Sequence, residues 1–321
     1  MTLAKISFGV FLPFYAFGSQ IIASSMYDRI RDIALESERL GYDSVWLDDH
    51  LMFGRTPILE CWTTLSALSA STRRVRLGTM VTSNAFRNPA LTAKMAATVD
   101  VISGGRLEFG LGAGIQEDEH AAYGFSFPKT STRVDRLKEA IEVMQLLWTR
   151  EEATYSGTHY RLAKAVCKPR PIQKPHPPIT IGGIGEKHLL RVTARYADRF
   201  DFSYLPTMET FKHKLEVLKK HCTSIGRDFE EIEKSCWPEG QIILSEDRAS
   251  LEEKIQQIKP EGVSRRDFAR SHFLGTPDEF AAKLQPYLDL GVTHFMLYFA
   301  DLPNLGSLRL FSETIRSKIG C

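Results

Sequence analysis

The sequence predicts an α/β protein: a closed (β/α)8 barrel of the TIM type, with insertions at its C-terminal face, running as a single domain over residues 1–321. Three observations predict it. Eight short apolar runs alternate with helix-like segments, and such runs suit strands buried on both faces. The first run leads into Pro13-Phe14-Tyr15, not into the glycine-rich turn of a doubly wound open sheet. The spacing between runs is uneven, and in a barrel the extra length collects in loops above the strand ends, where the walls of a site are built.

The strand candidates are Ile6–Leu12, Ser44–Leu47, Val75–Thr79, Arg106–Leu111, Ile179–Ile181, Phe200–Tyr204, Gln241–Leu244 and His294–Phe299. Between the first two, residues 26–40 place Ile30, Ile33 and Ala34 on one helical face, and Gly41 stops the helix. The stretch Val75–Gly124 is the clearest strand–loop–helix–strand unit: Asn88-Pro89 opens a helix over 90–102, Ser103-Gly104-Gly105 turns, and the next strand runs into Gly112-Ala113-Gly114. Val134, Leu137, Ile141, Met144 and Trp148 recur at helical spacing, with Ser131 or Thr132 as the N-cap. A hairpin follows over 153–162, then a basic loop over 164–174. Phe280, Leu284, Tyr287 and Leu288 mark the last helix before the last strand, with Thr276 or Asp278 as its cap and Gly291 after it.

Composition narrows the function. Hydrophobic residues are 43%, charged residues 25% and the formal net charge is +2, which gives no footprint for nucleic acid. The five cysteines are scattered without a CxxC pair, and the histidines lack ligand spacing such as HExxH, so reduced thiols and no metal are expected. The apolar stretch 8–23 is interrupted by Pro13, Gly18 and Gln20 and reads as a strand and loop, not a signal sequence. No stretch has the length and apolarity of a membrane span, so a cytoplasmic protein is expected.

Three stretches can carry chemistry. Asp48-Asp49-His50 follows the second strand, where a histidine beside carboxylates can pass protons; the plainer alternative is a solvated, helix-capping loop. Gly182-Gly183-Ile184-Gly185 follows the fifth strand, where free backbone N–H groups can meet an anion, with Lys187 and Arg191 adding charge; the alternative is a tight turn needing glycine for geometry. Residues 78–83 alternate small and polar groups at the end of the third strand, as an ordinary strand end also would. The run Gly110-Leu111-Gly112-Ala113-Gly114 is similar to GxGxxG but lacks the last glycine.

Taken in order, residues 44–50, 77–89, 104–123 and 177–201 resemble the bacterial luciferase-like flavin and deazaflavin superfamily. Ile181-Gly182-Gly183-Ile184-Gly185-Glu186-Lys187 with Ala194–Asp198, and Gly275-Thr276-Pro277 with Gly291–Phe295, resemble its coenzyme F420-dependent oxidoreductase branch. The resemblance covers nearly the whole chain. It implies a deazaflavin at the barrel's C-terminal mouth and hydride transfer between its C5 and an organic small-molecule substrate, with FMN and a monooxygenase reaction as the alternative. It implies a cis peptide at Met80–Val81 behind the ring, Ser83 as a polar contact, Asp49 and His50 as the acid–histidine pair, and Gly114 and Asp118 near the cofactor. Gly182, Gly183, Ile184 and Gly185 would hold the phosphate, and a homodimer is implied. Phe14, Tyr15 and Trp46 are candidate walls, and Arg161, Lys164, Lys168 and Arg170 candidate contacts for an acidic tail. Two departures stand out. Ile115 occupies the place of a glutamate found in sugar- and alcohol-oxidising members, and Leu12–Tyr15 lacks the glutamate of the methylene-tetrahydromethanopterin reductases. Glu117 and Glu119 lie nearby and are expected to face solvent.

Overall fold

A computed structural model describes residues 5–12, 23–204 and 207–319 of the chain. Eight strands close a barrel: β1 (Ser7–Phe11), β2 (Ser44–Leu47), β3 (Arg76–Thr79), β4 (Leu107–Gly112), β5 (Ile179–Gly182), β6 (Arg199–Tyr204), β7 (Glu233–Trp237) and β8 (His294–Leu297). Each pairs in parallel with the next, and β8 pairs with β1. All eight C-terminal ends therefore open on one rim.

The seventh strand corrects the sequence reading. Gln241–Leu244 lies outside the barrel, paired with His272–Gly275 and bridged from Ile242 to Phe299. The barrel strand is Glu233–Trp237. It was passed over because its inward residue, Ser235, serves a polar interior, while Gln241–Leu244 is apolar because other elements cover it. The helix ahead of the hairpin spans Thr130–Thr149 with Lys129 at its N-cap, two to three residues earlier than Ser131 or Thr132. The hairpin (Ala153–Ser156 with Arg161–Ala165) and the helix before the last strand, Pro277–Leu288 with Thr276 and Glu279 in a capping box, are where the sequence placed them; a further helix, Gly306–Lys318, follows the last strand.

Two inner layers explain why site residues collect at the rim. At the base, Arg199 binds Glu108 at 2.9 Å and Glu233 at 2.6 Å, and Arg76 closes on Glu108. Above it, Trp46 fills the barrel. An added Cβ at Gly9 would lie 2.5 Å from its indole nitrogen, and one at Gly78 2.1 Å from its ring, so these glycines are the space Trp46 occupies. Trp46 donates to Ser44 at 2.8 Å, and Ser235 joins His294 to Asp201 at 2.8 Å on each side. Burial pushes the Asp201 carboxyl up and the His294 imidazole well down from their ordinary values. With the lower barrel filled, a ligand is restricted to the open end.

Candidate active site

The loop after β2 carries Asp48, Asp49 and His50. Asp49 is 3% exposed and fully engaged. Arg87 grips it with two bonds of 2.6 and 2.9 Å, and the Ser83 N–H donates to it at 2.9 Å. Burial pushes its carboxyl up from the ordinary value, and the guanidinium works against that push. Arg87 also binds Glu60, which caps the helix Cys61–Ser71. Asp49 thus ties the second loop to the third. It makes no hydrogen bond to His50, so of the two roles the sequence leaves open for it, orienting the imidazole or meeting the ring system, the first is not supported by this geometry.

The carboxylate on His50 is Glu119, from the short helix Glu117–Ala122 after β4. His50 Nδ1 lies 3.0 Å from Glu119 Oε2, while the other oxygen accepts from the Leu51 and Met52 N–H groups. Glu119 is 1% exposed, so the expectation that it faces solvent is overturned. Glu117 and Asp118 are the acidic residues left exposed on that helix, and Ile115 is 65% exposed. An acceptor at Nδ1 places the neutral ring's proton there and leaves Nε2 as the acceptor.

The peptide Met80–Val81 is cis. Val81 points at three glycines on the neighbouring strands. An added Cβ at Gly112 would lie 2.6 Å from its side chain, one at Gly182 2.8 Å, and one at Gly110 1.8 Å from the Thr79 carbonyl oxygen. The GxGxxG lookalike is therefore a seat for the end of β3. Thr82–Ser83 then resumes pairing beside β4. Here Ser83 Oγ and His120 Nε2 are buried without a hydrogen-bond partner among the described residues, and a Cβ on Gly114 would come 3.2 and 3.3 Å from them. Two unsatisfied polar atoms thus meet beside Gly114.

The glycine turn is partly committed. Gly183 has φ +127 and donates its N–H to the Asp201 carbonyl, while Ile184 and Gly185 are exposed. Glu186 is anchored by Lys214 at 2.5 Å and His213 at 3.1 Å, and the helix begins at Leu189, later than expected. Lys187 is exposed and Arg191 lines an outer groove with Lys138 and His221. Lys168 and Arg170 both pair with Glu151, and Arg161 and Lys164 stay exposed on the hairpin. A different basic surface, missed in the sequence, lies beside Ser83: a cavity of about 520 Å³ lined by Asn84, Arg87, Arg133, Arg136, His159 and Tyr160. Arg133 Nε is buried there without a partner among the described residues. Phe14 and Tyr15 lie outside the described residues. Trp46 is fully buried beneath the mouth.

A parallel barrel whose open rim gathers a histidine–carboxylate pair, unsatisfied polar atoms and an arginine-lined cavity defines a barrel enzyme that works at its C-terminal face. The chain belongs to the luciferase-like monooxygenase family, whose description matches residues 6–288. An F420-dependent glucose-6-phosphate dehydrogenase of Microbacterium testaceum (strain StLB037) is 31% identical, over 91% of this chain and 93% of the relative. Among solved structures, an F420-dependent secondary alcohol dehydrogenase in complex with an F420-acetone adduct superposes with a TM-score of 0.80 at 22% identity, covering 98% of this chain and 99% of the other. A monooxygenase, RslO1 from Streptomyces bottropensis, does so with 0.82 at 24% identity, covering 98% and 99%. At those identities the two structures establish the fold alone.

Proposed function

We propose that the chain is a coenzyme F420-dependent oxidoreductase that exchanges a hydride between the deazaflavin and an organic small-molecule substrate. The observation that carries this reading is the 31% identity, extending over 91% of the chain, to a relative named for F420. The residues at the rim fit such a cofactor. Ser83 and His120 offer unsatisfied polar atoms beside Gly114, where a side chain would take up the space. Met80 and Val81 form the edge behind them. The exposed turn at Ile184-Gly185 and the cavity at Arg133 and Arg136 are two anion seats for an acidic cofactor.

When bound, reduced F420 supplies a hydride from a carbon placed where a flavin has N5. The chain's residues do the rest. Arg87 and Asp49 fix the loops after β2 and β3 against each other. Glu119 holds the His50 proton at Nδ1, so Nε2 is the atom that accepts or returns a proton. Phe11, Trp46, Trp237 and Tyr298 pack together beneath the mouth and keep water from the reacting face. As part of the same reading the chain acts as a homodimer, which light scattering tests. Mixing the protein with reduced F420 and an organic acceptor without oxygen, and separately with reduced FMN in the presence of oxygen, tests the cofactor: oxidation of reduced F420 by the acceptor supports the reading. Oxygen consumption with reduced FMN, and none of the F420 reaction, overturns it in favour of the monooxygenase alternative.

A further inference from the structure

We infer that Asp48 is the acid that meets the oxygen of the second substrate, and that this substrate is an uncharged, largely apolar carbonyl compound or the matching alcohol. The inference rests on the reading of the chain as an F420-dependent oxidoreductase and adds to it a residue and a substrate class.

Side chains alternate along a strand, so Ser44, Trp46 and Asp48 share the inner face at the end of β2. Trp46 is locked between Gly9 and Gly78, which puts Asp48 one step above it, at the mouth. Asp48 is 7% exposed, and its Oδ1 is buried without a hydrogen-bond partner among the described residues. Such an atom is costly to leave unpaired, and a ligand oxygen would satisfy it. His50 and Asp49 adjoin it in the loop, Glu119 comes from the helix after β4, Tyr298 from the end of β8, and Cys61 from the helix after the β2 loop. Burial pushes its carboxyl up to about 7, with His50 opposing and the two neighbouring carboxylates reinforcing. A carboxyl that keeps its proton near neutrality is a hydrogen-bond donor.

The surroundings set the substrate class. Phe11, Trp46 and Met296 form one apolar cluster with Met80, Trp237 and Tyr298 packed on it. Phe11 stacks edge-on against Trp237 at 5.2 Å and Tyr298 at 5.3 Å. Arg199 lies 5.7 Å from the Trp46 ring, but its charge is taken up by Glu108 and Glu233. A phosphate placed there would meet a carboxyl instead of a counter-charge. An apolar body with one oxygen is matched by the floor and by Asp48.

In the reducing direction the C=O π bond breaks as the hydride of reduced F420 forms the new C–H bond. The Asp48 proton passes to the oxygen, giving the alcohol. The Asp48 carboxylate would then take a proton back through His50, its neighbour in the loop, matched by the proton that reduced F420 would give up on oxidation. The reverse order oxidises the alcohol.

The test compares the wild type with Asp48→Asn, using cyclohexanone as the probe and glucose 6-phosphate as the charged control. Infrared difference spectra read the Asp48 carboxyl directly, with and without F420. The expected result is a protonated-carboxyl band that is absent in the variant, titrates near 7, and shifts on adding cyclohexanone but not glucose 6-phosphate. In turnover, kcat with cyclohexanone falls by about 100-fold in the variant, F420 affinity changes less than about twofold, and the wild-type rate falls as pH rises through the Asp48 transition. An unmoved band with saturating cyclohexanone, or a variant with unchanged kcat, overturns the role of Asp48. A band shift or turnover with glucose 6-phosphate overturns the substrate class. Failure of both proteins to bind F420 counts against the cofactor reading instead, and the infrared response to cyclohexanone still decides the role of Asp48.

Discussion

Replacing Arg87 by methionine probes the junction on which the rim depends. Arg87 supplies two charge-assisted bonds to Asp49, at 2.6 and 2.9 Å, and the carboxylate they hold is 3% exposed. Without the guanidinium, only the Ser83 N–H at 2.9 Å remains on that carboxylate. Removing one partner of a buried pair leaves an uncompensated charge and costs about 3–5 kcal/mol. The Arg87 bond to Glu60 adds little, because that side chain is 36% exposed. For a chain of 321 residues, with an unfolding entropy of about 2 cal/mol/K per residue, this corresponds to a drop of roughly 4–8 °C in Tm. Differential scanning fluorimetry reads it. The double variant Asp49→Asn with Arg87→Met should lose less than the sum of the two single changes, because the second change no longer strands a charge. A Tm within about 1 °C of wild type for Arg87→Met, or strict additivity in the double variant, would refute the reasoning.

Other outcomes follow from the same geometry. Gly110→Ala places a methyl 1.8 Å from a backbone carbonyl oxygen and should abolish soluble expression, whereas Gly112→Ala, 2.6 Å from the Val81 side chain, should cost about 1–3 kcal/mol by urea unfolding. His50→Ala should lower turnover by about 100-fold while F420 still binds, and Glu119→Gln should move the pH profile of turnover with a smaller loss of rate. Asp48→Asn should alter stability with pH. Burial pushes the folded carboxyl up to about 7 from its ordinary value of 3.8. Asp48 therefore contributes stability that is full below about pH 4 and lost as pH rises through about 7, a change on the order of 4 kcal/mol. The variant should gain on the wild type between those limits, as read by urea unfolding at pH 5 and pH 8.

Most of the barrel was legible because seven of its strands are apolar runs with helical stretches between them. The seventh in order was not. Its inward Ser235 belongs to the Asp201–His294 network, so the strand lacks the apolar signature that burial usually imposes. The rim shows the same limit at finer scale. Asp48, Asp49 and His50 stand out because they follow a strand end, but the sequence cannot say which carboxylate reaches the imidazole. Glu117, Asp118 and Glu119 look alike in a short acidic helix, and only the packing of the loop after β4 turns Glu119 inward. Arg87 belongs to no motif of the sequence, although two carboxylates claim it. Gly110 and Gly112 only resemble a nucleotide fingerprint, because the pattern shows small residues without showing what fills the space.

The most direct measurement of the central claim is a fluorescence titration of the purified protein with oxidised F420, matched by one with FMN under the same conditions. Saturable F420 binding that weakens on replacing Gly114 by valine, with FMN binding at least tenfold weaker, is the expected result. FMN binding as tight as F420, or F420 binding indifferent to the side chain at position 114, would contradict the assignment of this rim to a deazaflavin.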